Sequence, residues 1–576
     1  MTEIVKNHNF SIFGRRIFAG LMTALFALIV LNTVVIAADG DLDATFGTGG
    51  FVKTAFNPND FDAGWKVVVQ PDGKIVTAGI GADPNTFKYV ISLARYNADG
   101  SLDLTFGNGG KVMSDTVSDI ELAIDVALQM DGKIIVVGTT FSGSGTEVAI
   151  LRFNSDGNTD PSFGSNGKVI TNPFNTNGEA LGVKVQTDGK IVVGGAVQQV
   201  PTIYDFLLMR FDANGNPDPA FGTGGSVRTD FGGNEKAYDI ALQADGKIIA
   251  VGRSYTIYPD GDFAVARYDT NGNLDAGFGS GGMVLTDING FDQANSVAVQ
   301  TDNKIVVAGS ASADFAVVRY DANGNLDPAF GTGGKTTTDF FNGRDIANDL
   351  AIQPDGKIVL AGKMNPNLLD IETYVDFGIA RYDTNGILDS TFGSGGKVST
   401  DFSYIDEARG IAIESNCKIV AAGYAWDVVS GTSDFVLASY ESGVNCTVEP
   451  PAPTNCPKTH GYWKNHPEEW KVESLTLGGK SYTKAELLAL LGNSTQTDAS
   501  LVLAKQLIAA KLNIANGSDA AVIGSTIAHA DSLLSGFGGK LPYKVKSSSV
   551  VGQAMVADAI VLDNYNKGLL TLGCGL

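Results

Sequence analysis

From about residue 39 the chain alternates apolar and polar positions in short runs, and the runs always end on the same punctuation. Asp349 to Tyr382 shows the pattern: DLAIQPDGKIVLAG, a connection, then DFGIARY. Period-two alternation closed by Asn-Gly, Asp-Gly or Gly-Gly reads as half-buried β-strands joined by tight turns. The punctuation itself repeats. Phe-Gly-x-x-Gly stands at Phe46, Phe106, Phe163, Phe221, Phe278, Phe330 and Phe392, about 57 residues apart. A fixed period of that size marks a repeat architecture whose units bury their apolar faces on one another.

Asp-Gly between two apolar runs predicts a two-residue hairpin turn with positive φ at both central residues. It stands at Asp72-Gly73, Asp131-Gly132, Asp188-Gly189, Asp245-Gly246 and Asp355-Gly356, and decays to Asp302-Asn303 and Asn416-Cys417. Each unit then supplies four short strands. Seven such units predict a mainly β fold, a seven-bladed β-propeller of four-stranded blades. A linear β-solenoid is the rival, with shorter repeats and no fixed number. The pattern leaves open which strand lines the channel, and whether the ring closes within a blade or by exchanging a terminal strand.

Three sub-motifs recur in order: N-G-x-L-D-x-x-F-G-x-G-G, Q-x-D-G-K-I-x-x-x-G and D-F-x-x-A-R-Y. Over about residues 39–443 the chain resembles the bacterial delta-60 repeat. The resemblance implies a propeller and an exported protein, and implies no activity.

The N-terminus carries Lys6, Arg15 and Arg16, an apolar run from Ile17 to Ala37, and small residues after it. This reads as a signal peptide over residues 1–38, with an uncleaved anchor helix as the alternative. The propeller is expected over 39–446, a Pro-rich linker over 447–455, and a helical C-terminal module over 456–576. The expected location is outside the cytoplasm: secreted, extracellular or at the cell surface, with the periplasm as a further compartment. The net charge of −22 becomes about −24 without the leader, which would repel a phosphate backbone and argues against nucleic-acid binding.

An exported chain permits disulfides. Of the three possible pairings of four cysteines, Cys417–Cys446 with Cys456–Cys574 is preferred. The first would staple the last blade and the second would tie the ends of the C-terminal module. No CxxC pair suggests metal ligation.

The C-terminal module opens CPKTHGYWKNHPEEW, and Thr483 to Glu486 forms a capping box before an apolar helix. The Gly-Tyr-Trp-Lys-Asn-His string resembles a module of bacterial secreted and surface proteins without an assigned function. Tyr462, Trp463 and Trp470 could stack on a sugar or contact a partner; packing into the core is the other reading. His460 and His466 match no zinc spacing.

Function should lie where the repeats differ. The loops between strands one and two and between strands three and four share one face, and they vary in length from unit to unit. That variable face is expected to be the interaction face. It is also acidic. Asp62, Glu121, Glu235, Asp292, Asp345 and Asp406 recur eight residues before the hairpin, with Gly178 in the third copy. Asp205, Asp262, Asp314, Asp376 and Asp434 open the fourth strand. The two sets, read as two strands apart on one blade and so about 10 Å from each other, are candidates for Ca²⁺ or a basic partner. The chief candidates are Asp292, Asp314, Asp345, Asp376, Asp406 and Asp434. The competing reading pairs these acids with the recurrent arginines Arg95, Arg152, Arg210, Arg267, Arg319 and Arg381, or has them cap loops. Asp321 to Asp327 fails the EF-hand spacing and reads as Asx-turn chemistry.

No nucleophile elbow, phosphate loop or metalloprotease helix motif occurs. The leading expectation is a non-catalytic extracellular binding or adhesion scaffold whose partner is a protein or a polysaccharide. The alternative is a secreted glycosidase or lyase using carboxylates on the variable face. A catalytic pair would be unique to one or two blades and roughly 5–9 Å apart, whereas equivalent acids in blade after blade argue for structure or ion binding.

Overall fold

The structure, a computed structural model, describes residues 37–86, 88–114, 121–142, 145–200, 202–257, 260–365, 374–443, 456–494, 498–518 and 523–568. Seven four-stranded antiparallel sheets form the blades of the propeller. Blade 1 runs outward from Ala63–Val69 through Ile75–Ala82 and Tyr89–Tyr96 to Lys111–Ser114. The inner strands of blades 2 to 7 start at Glu121, Gly178, Asn234, Asp292, Ile346 and Ile405. The innermost strand is therefore the segment preceding each hairpin turn.

Blade and sequence repeat are offset by one strand. The outer strand of each blade is the four-residue segment after the Phe-Gly-x-x-Gly of the next repeat. The first such segment, Phe51–Thr54, lies beside Thr432–Tyr440 and completes blade 7, in register from Phe51↔Ala438 to Thr54↔Phe435. The ring closes by exchange of a terminal strand.

The second strands are covered on both faces by neighbouring blades, so they read as apolar runs without alternation. Ile75–Ala82 is buried at every position. The core is distributed over the seams: Val306, Phe315 and Val317 of blade 5 pack with Leu350, Ile358 and Leu360 of blade 6.

The hairpin turns differ from the two-residue form. Gly73 N–H donates to the Gln70 carbonyl and Gln70 N–H to the Lys74 carbonyl, 2.9 and 2.7 Å, so the loop has three residues. Only Gly73 takes positive φ, +82°. Asp72 stays out of that region and accepts the Lys74 amide at 3.2 Å. A type I turn closed by a left-handed residue meets the strand twist as well as a type I′ turn does. In the two degenerate copies Asn303 and Cys417 hold the glycine's place at φ of 66° and 69°.

The C-terminal region is helical, with helices at His460–Asn465, Lys484–Gly492, Ala499–Ala515, Gly524–Ser535 and Val550–Asn566, and a hairpin of Ser474–Leu477 and Lys480–Thr483. The Thr483/Glu486 capping box is present. The segment expected to be a signal peptide falls outside the described residues except for Ala37 and Ala38, and so do Cys446 and Cys574. No described helix is long and apolar enough to cross a membrane.

Candidate functional site

The recurrent arginines sit on the face opposite the variable loops and do not pair with the acids there. Arg319, which is buried, gives Nε to Asp327 Oδ2 at 2.9 Å, Nη1 to the Thr384 carbonyl of the next repeat, and its guanidinium plane to Phe330 at 4.6 Å. Arg95, Arg152, Arg210, Arg267 and Arg381 repeat this arrangement over Phe106, Phe163, Phe221, Phe278 and Phe392. The aspartate eight residues after each arginine is the true partner, because the chain folds back there under the third strand. In blade 7 Ser439 takes the arginine's place, and Lys418 pairs with Asp43 at 2.6 Å instead. One face is thereby accounted for as inter-blade stapling.

On the variable face the acids come together more closely than strand spacing within one blade allows. Four triads have carboxylate oxygens within 4.8 Å of one another: Asp205/Asp230/Glu235, Asp262/Asp287/Asp292, Asp314/Asp339/Asp345 and Asp376/Asp401/Asp406. Each bridges a seam. Two members come from one blade, at the start of its third strand and just beyond its outer strand, and the third opens the inner strand of the next blade. Asp292 thus meets Asp262, not Asp314 of its own blade. Sequence reading missed Asp230, Asp287, Asp339 and Asp401. Their signal was the Thr-Asp that ends each outer strand, as in KTTTDF. The threonine is the anchor: Thr229, Thr286, Thr338 and Thr400 accept the hydroxyls of Tyr268, Tyr320, Tyr382 and Tyr440 across the seam, 2.7–3.0 Å.

The inner acid of each triad ties down the loop before it. Asp345 accepts Phe340 N–H at 2.7 Å and Asn365 N–H at 3.1 Å. Asp292 accepts Ile288 N–H, and Asp406 accepts Phe402 N–H and Ser403 N–H. Loop capping, half of the competing expectation, is thus what these residues do. Burial nevertheless pushes Asp292 and Asp345 up to about 6, and Glu235 and Asp406 up to about 7, with neighbouring carboxylates adding to the effect. The seams differ in compensating charge. At blades 3/4 Arg228 pairs with Asp205 at 2.7 Å. At blades 7/1 Asp434 and Asp62 lack a third acid, because Ala55 stands in its place.

Beside the blade 6/7 triad lies an open cleft of about 680 Å³, lined by Tyr374, Asp376, Asp401, Phe402, Ser403, Tyr404, Asp427 and Val429. Tyr374 and Tyr404 are exposed, with ring centroids 6.0 Å apart. The stretch 366–373 of the long variable connection falls outside the described residues.

The central channel is crossed by ion pairs. At equivalent bulge positions stand Lys66, Asp125, Gly182, Asp239, Ser296, Asp349 and Gly410. Asp125, Asp239 and Asp349 accept the amides of Val183, Val297 and Ile411 in the next blade. Lys184 reaches Asp239 at 3.1 Å, and Lys66 spans to Asp349 at 2.7 Å. Gly410 makes that span possible, since a Cβ there would lie 2.9 Å from the Lys66 backbone.

In the C-terminal module Trp463 and Trp470 are core residues, 1% and 6% exposed, which corrects the expectation of a stacking platform. Trp463 Nε1 donates to Asn513 Oδ1 at 2.8 Å and Trp470 Nε1 to the Trp463 carbonyl at 2.9 Å. Buried indoles need such acceptors, and their faces are spent on the helices. Tyr462 is partly exposed, stacked on His466 at 4.2 Å with its hydroxyl on Glu469. Among the described residues no histidine joins a metal-holding group.

Six segments, 70–106, 129–163, 186–221, 243–278, 300–330 and 353–392, match the domain of unknown function (DUF5122) beta-propeller. No curated protein matches the chain. Among solved structures it is similar to Sqt1 from Chaetomium thermophilum, with 13% identity, 71% of this chain and 100% of that one covered, and a TM-score of 0.33. A neuraminidase-like protein from A/bat/Guatemala/164/2009 matches with 9% identity, 71% and 98% coverage and a TM-score of 0.32. From blade count, strand order and the six matched segments, the chain is a seven-bladed β-propeller repeat protein with a helical C-terminal region.

Proposed function

We propose that the protein is an exported, non-catalytic binding scaffold whose variable-loop face holds an extracellular polysaccharide or protein. The observation that carries this reading is repetition. The same carboxylate triad recurs at four consecutive seams, whereas general acid–base work on a glycosidic bond needs one distinct pair in one cleft. The binding surface is the blade 6/7 cleft, where two exposed tyrosines stand beside Asp376, Asp401 and Asp427. Aromatic faces next to acceptor oxygens suit sugar rings and cationic side chains alike. Export by the signal segment and the pairings Cys417–Cys446 and Cys456–Cys574 belong to the same proposal. Non-reducing peptide mapping of the secreted chain should recover those two linked pairs.

The test is a screen of the mature chain on arrayed glycans and on surface proteins. Tyr374→Ala with Tyr404→Ala should lower affinity for the hit at least tenfold without changing the melting temperature. Unchanged affinity would place the interaction elsewhere. Release of new reducing ends, abolished by Asp376→Asn, would favour the glycosidase or lyase reading.

A further inference from the structure

In two of the four triads the inner acid keeps a buried oxygen without a hydrogen-bond partner, Glu235 Oε2 at blades 3/4 and Asp406 Oδ1 at blades 6/7, and only the first has an arginine ion-paired within its triad. Asp406 is fully buried, and while Oδ2 takes the Phe402 and Ser403 amides, Oδ1 has no hydrogen-bond partner. In blade 6 the equivalent oxygen of Asp345 accepts Asn365 N–H, and in blade 1 that of Asp62 accepts Ala82 N–H at 3.0 Å. Blade 7 has no such donor to offer. Its inner hairpin pairs two residues further, from Ile405↔Trp426, so Trp426, which stands where Asn365 stands in blade 6, is held in the ladder. A buried carboxylate oxygen without a partner is costly, and a second and third carboxylate within 4.8 Å make it more so.

Little nearby offsets this. The blade 3/4 seam has Arg228; the corresponding residue here is Ser399, whose hydroxyl stands 3.4 Å from Asp376. Lys53 is the basic group whose charge acts on Asp406, and it gives its ammonium to the Phe402 carbonyl at 2.9 Å. Three carboxylates, one of them with an orphaned oxygen, therefore face one another at the edge of an open cleft.

We propose that Asp376, Asp401 and Asp406 form a Ca²⁺ site between blades 6 and 7, with Asp406 Oδ1 as its buried ligand. Two oxygens bound to one Ca²⁺ at about 2.4 Å are at most about 4.8 Å apart, and the triad offers one oxygen from each carboxylate within that distance. Asp401 and Asp376 supply ligands from the blade 6 side and Asp406 from blade 7, so the ion joins two blades. The cleft leaves room for the water or hydroxyl ligands that complete a six- to eight-fold shell. The site belongs to the fold and does not depend on the identity of any partner.

The test is calorimetric titration of Ca²⁺ alone into the chelator-treated mature chain, with melting curves in EDTA and in millimolar Ca²⁺. The expected result is saturable binding with Kd on the order of 0.1–1 mM, the range of extracellular modules, and an upward shift of several degrees. Asp401→Asn, at an exposed position, and Asp406→Asn, which keeps the shape of the buried group, should each weaken binding at least tenfold and remove the shift. In EDTA Asp406→Asn should melt no lower than wild type, since it removes a buried charge held in no direct ion pair; a merely structural aspartate would melt lower in both buffers. Asp245→Asn, in a hairpin turn on the opposite face, should leave the Ca²⁺ response intact. Absence of binding, or an undiminished response in Asp401→Asn and Asp406→Asn, would overturn the proposal.

Discussion

Arg319 shows what a single repeated residue does here: one guanidinium neutralises Asp327, caps a carbonyl of the next repeat and covers Phe330. Arg319→Met keeps the volume but leaves Asp327 with Lys304 alone, 3.2 Å away. Breaking a buried pair from one side costs about 3 kcal/mol, so urea denaturation should show a loss of that order, unrelieved by Arg319→Lys, which lacks the planar fork. The acids of the two faces give opposite pH dependences. Asp62, Asp292 and Asp345 are held up near 6, and Glu235 and Asp406 near 7, chiefly by burial. Between about pH 4 and 7 the folded chain therefore binds more protons than the unfolded one, and stability falls as pH rises through that window. On the stapled face burial opposes ionisation of Asp160, but the bonds from Ser162 and the charges of Arg152 and Lys133 win and hold it near 2. Its contribution is present above its ordinary value and lost as pH falls below it. Melting temperature in EDTA, followed from pH 3 to 8, should peak on the acid side and decline toward pH 8; a rise from pH 5 to 8 would contradict this.

At the scale of the element, Phe51–Thr54 carries the most consequence for its size. Without it blade 7 ends on Thr432–Tyr440, and the four residue pairs of its outer ladder are lost. A chain starting at Phe56 should melt at least 10 °C lower and less cooperatively, and a peptide spanning residues 39–55 should restore much of the difference; an unchanged melting curve would show that closure does not rest on this strand. The strands themselves were legible in the alternation, and the unit in Phe-Gly-x-x-Gly. The offset was not, because a four-residue polar strand such as Lys335–Thr338 reads the same whether it begins one blade or ends another. The missed acids have the same cause. Asp339 and Asp345 are six residues apart in sequence yet belong to different blades, so their meeting is a property of the seam. The arginine–aspartate pairing was hidden by the fold-back of the chain beneath the third strand, and the buried indoles by a motif whose aromatic content suits a surface and a core equally.

At the scale of the whole molecule, an odd number of blades leaves its mark on the channel. Aspartates of blades 2, 4 and 6 bridge to blades 3, 5 and 7, and blade 1 is left to supply Lys66, which reaches back across Gly410 to Asp349. Lys66→Met should cost about 3 kcal/mol at pH 7, read by equilibrium unfolding. A channel so crossed directs function to the rim, and the rim is stapled on one face and variable on the other. The central claim is that the variable face binds without catalysis. It is tested most directly by incubating the mature protein for days with the polysaccharide it retains most strongly and reading the ligand's chain length by mass spectrometry. The account predicts full-length ligand, with retention lost in the Tyr374→Ala, Tyr404→Ala double variant. Shortened chains that disappear with Asp376→Asn would contradict it.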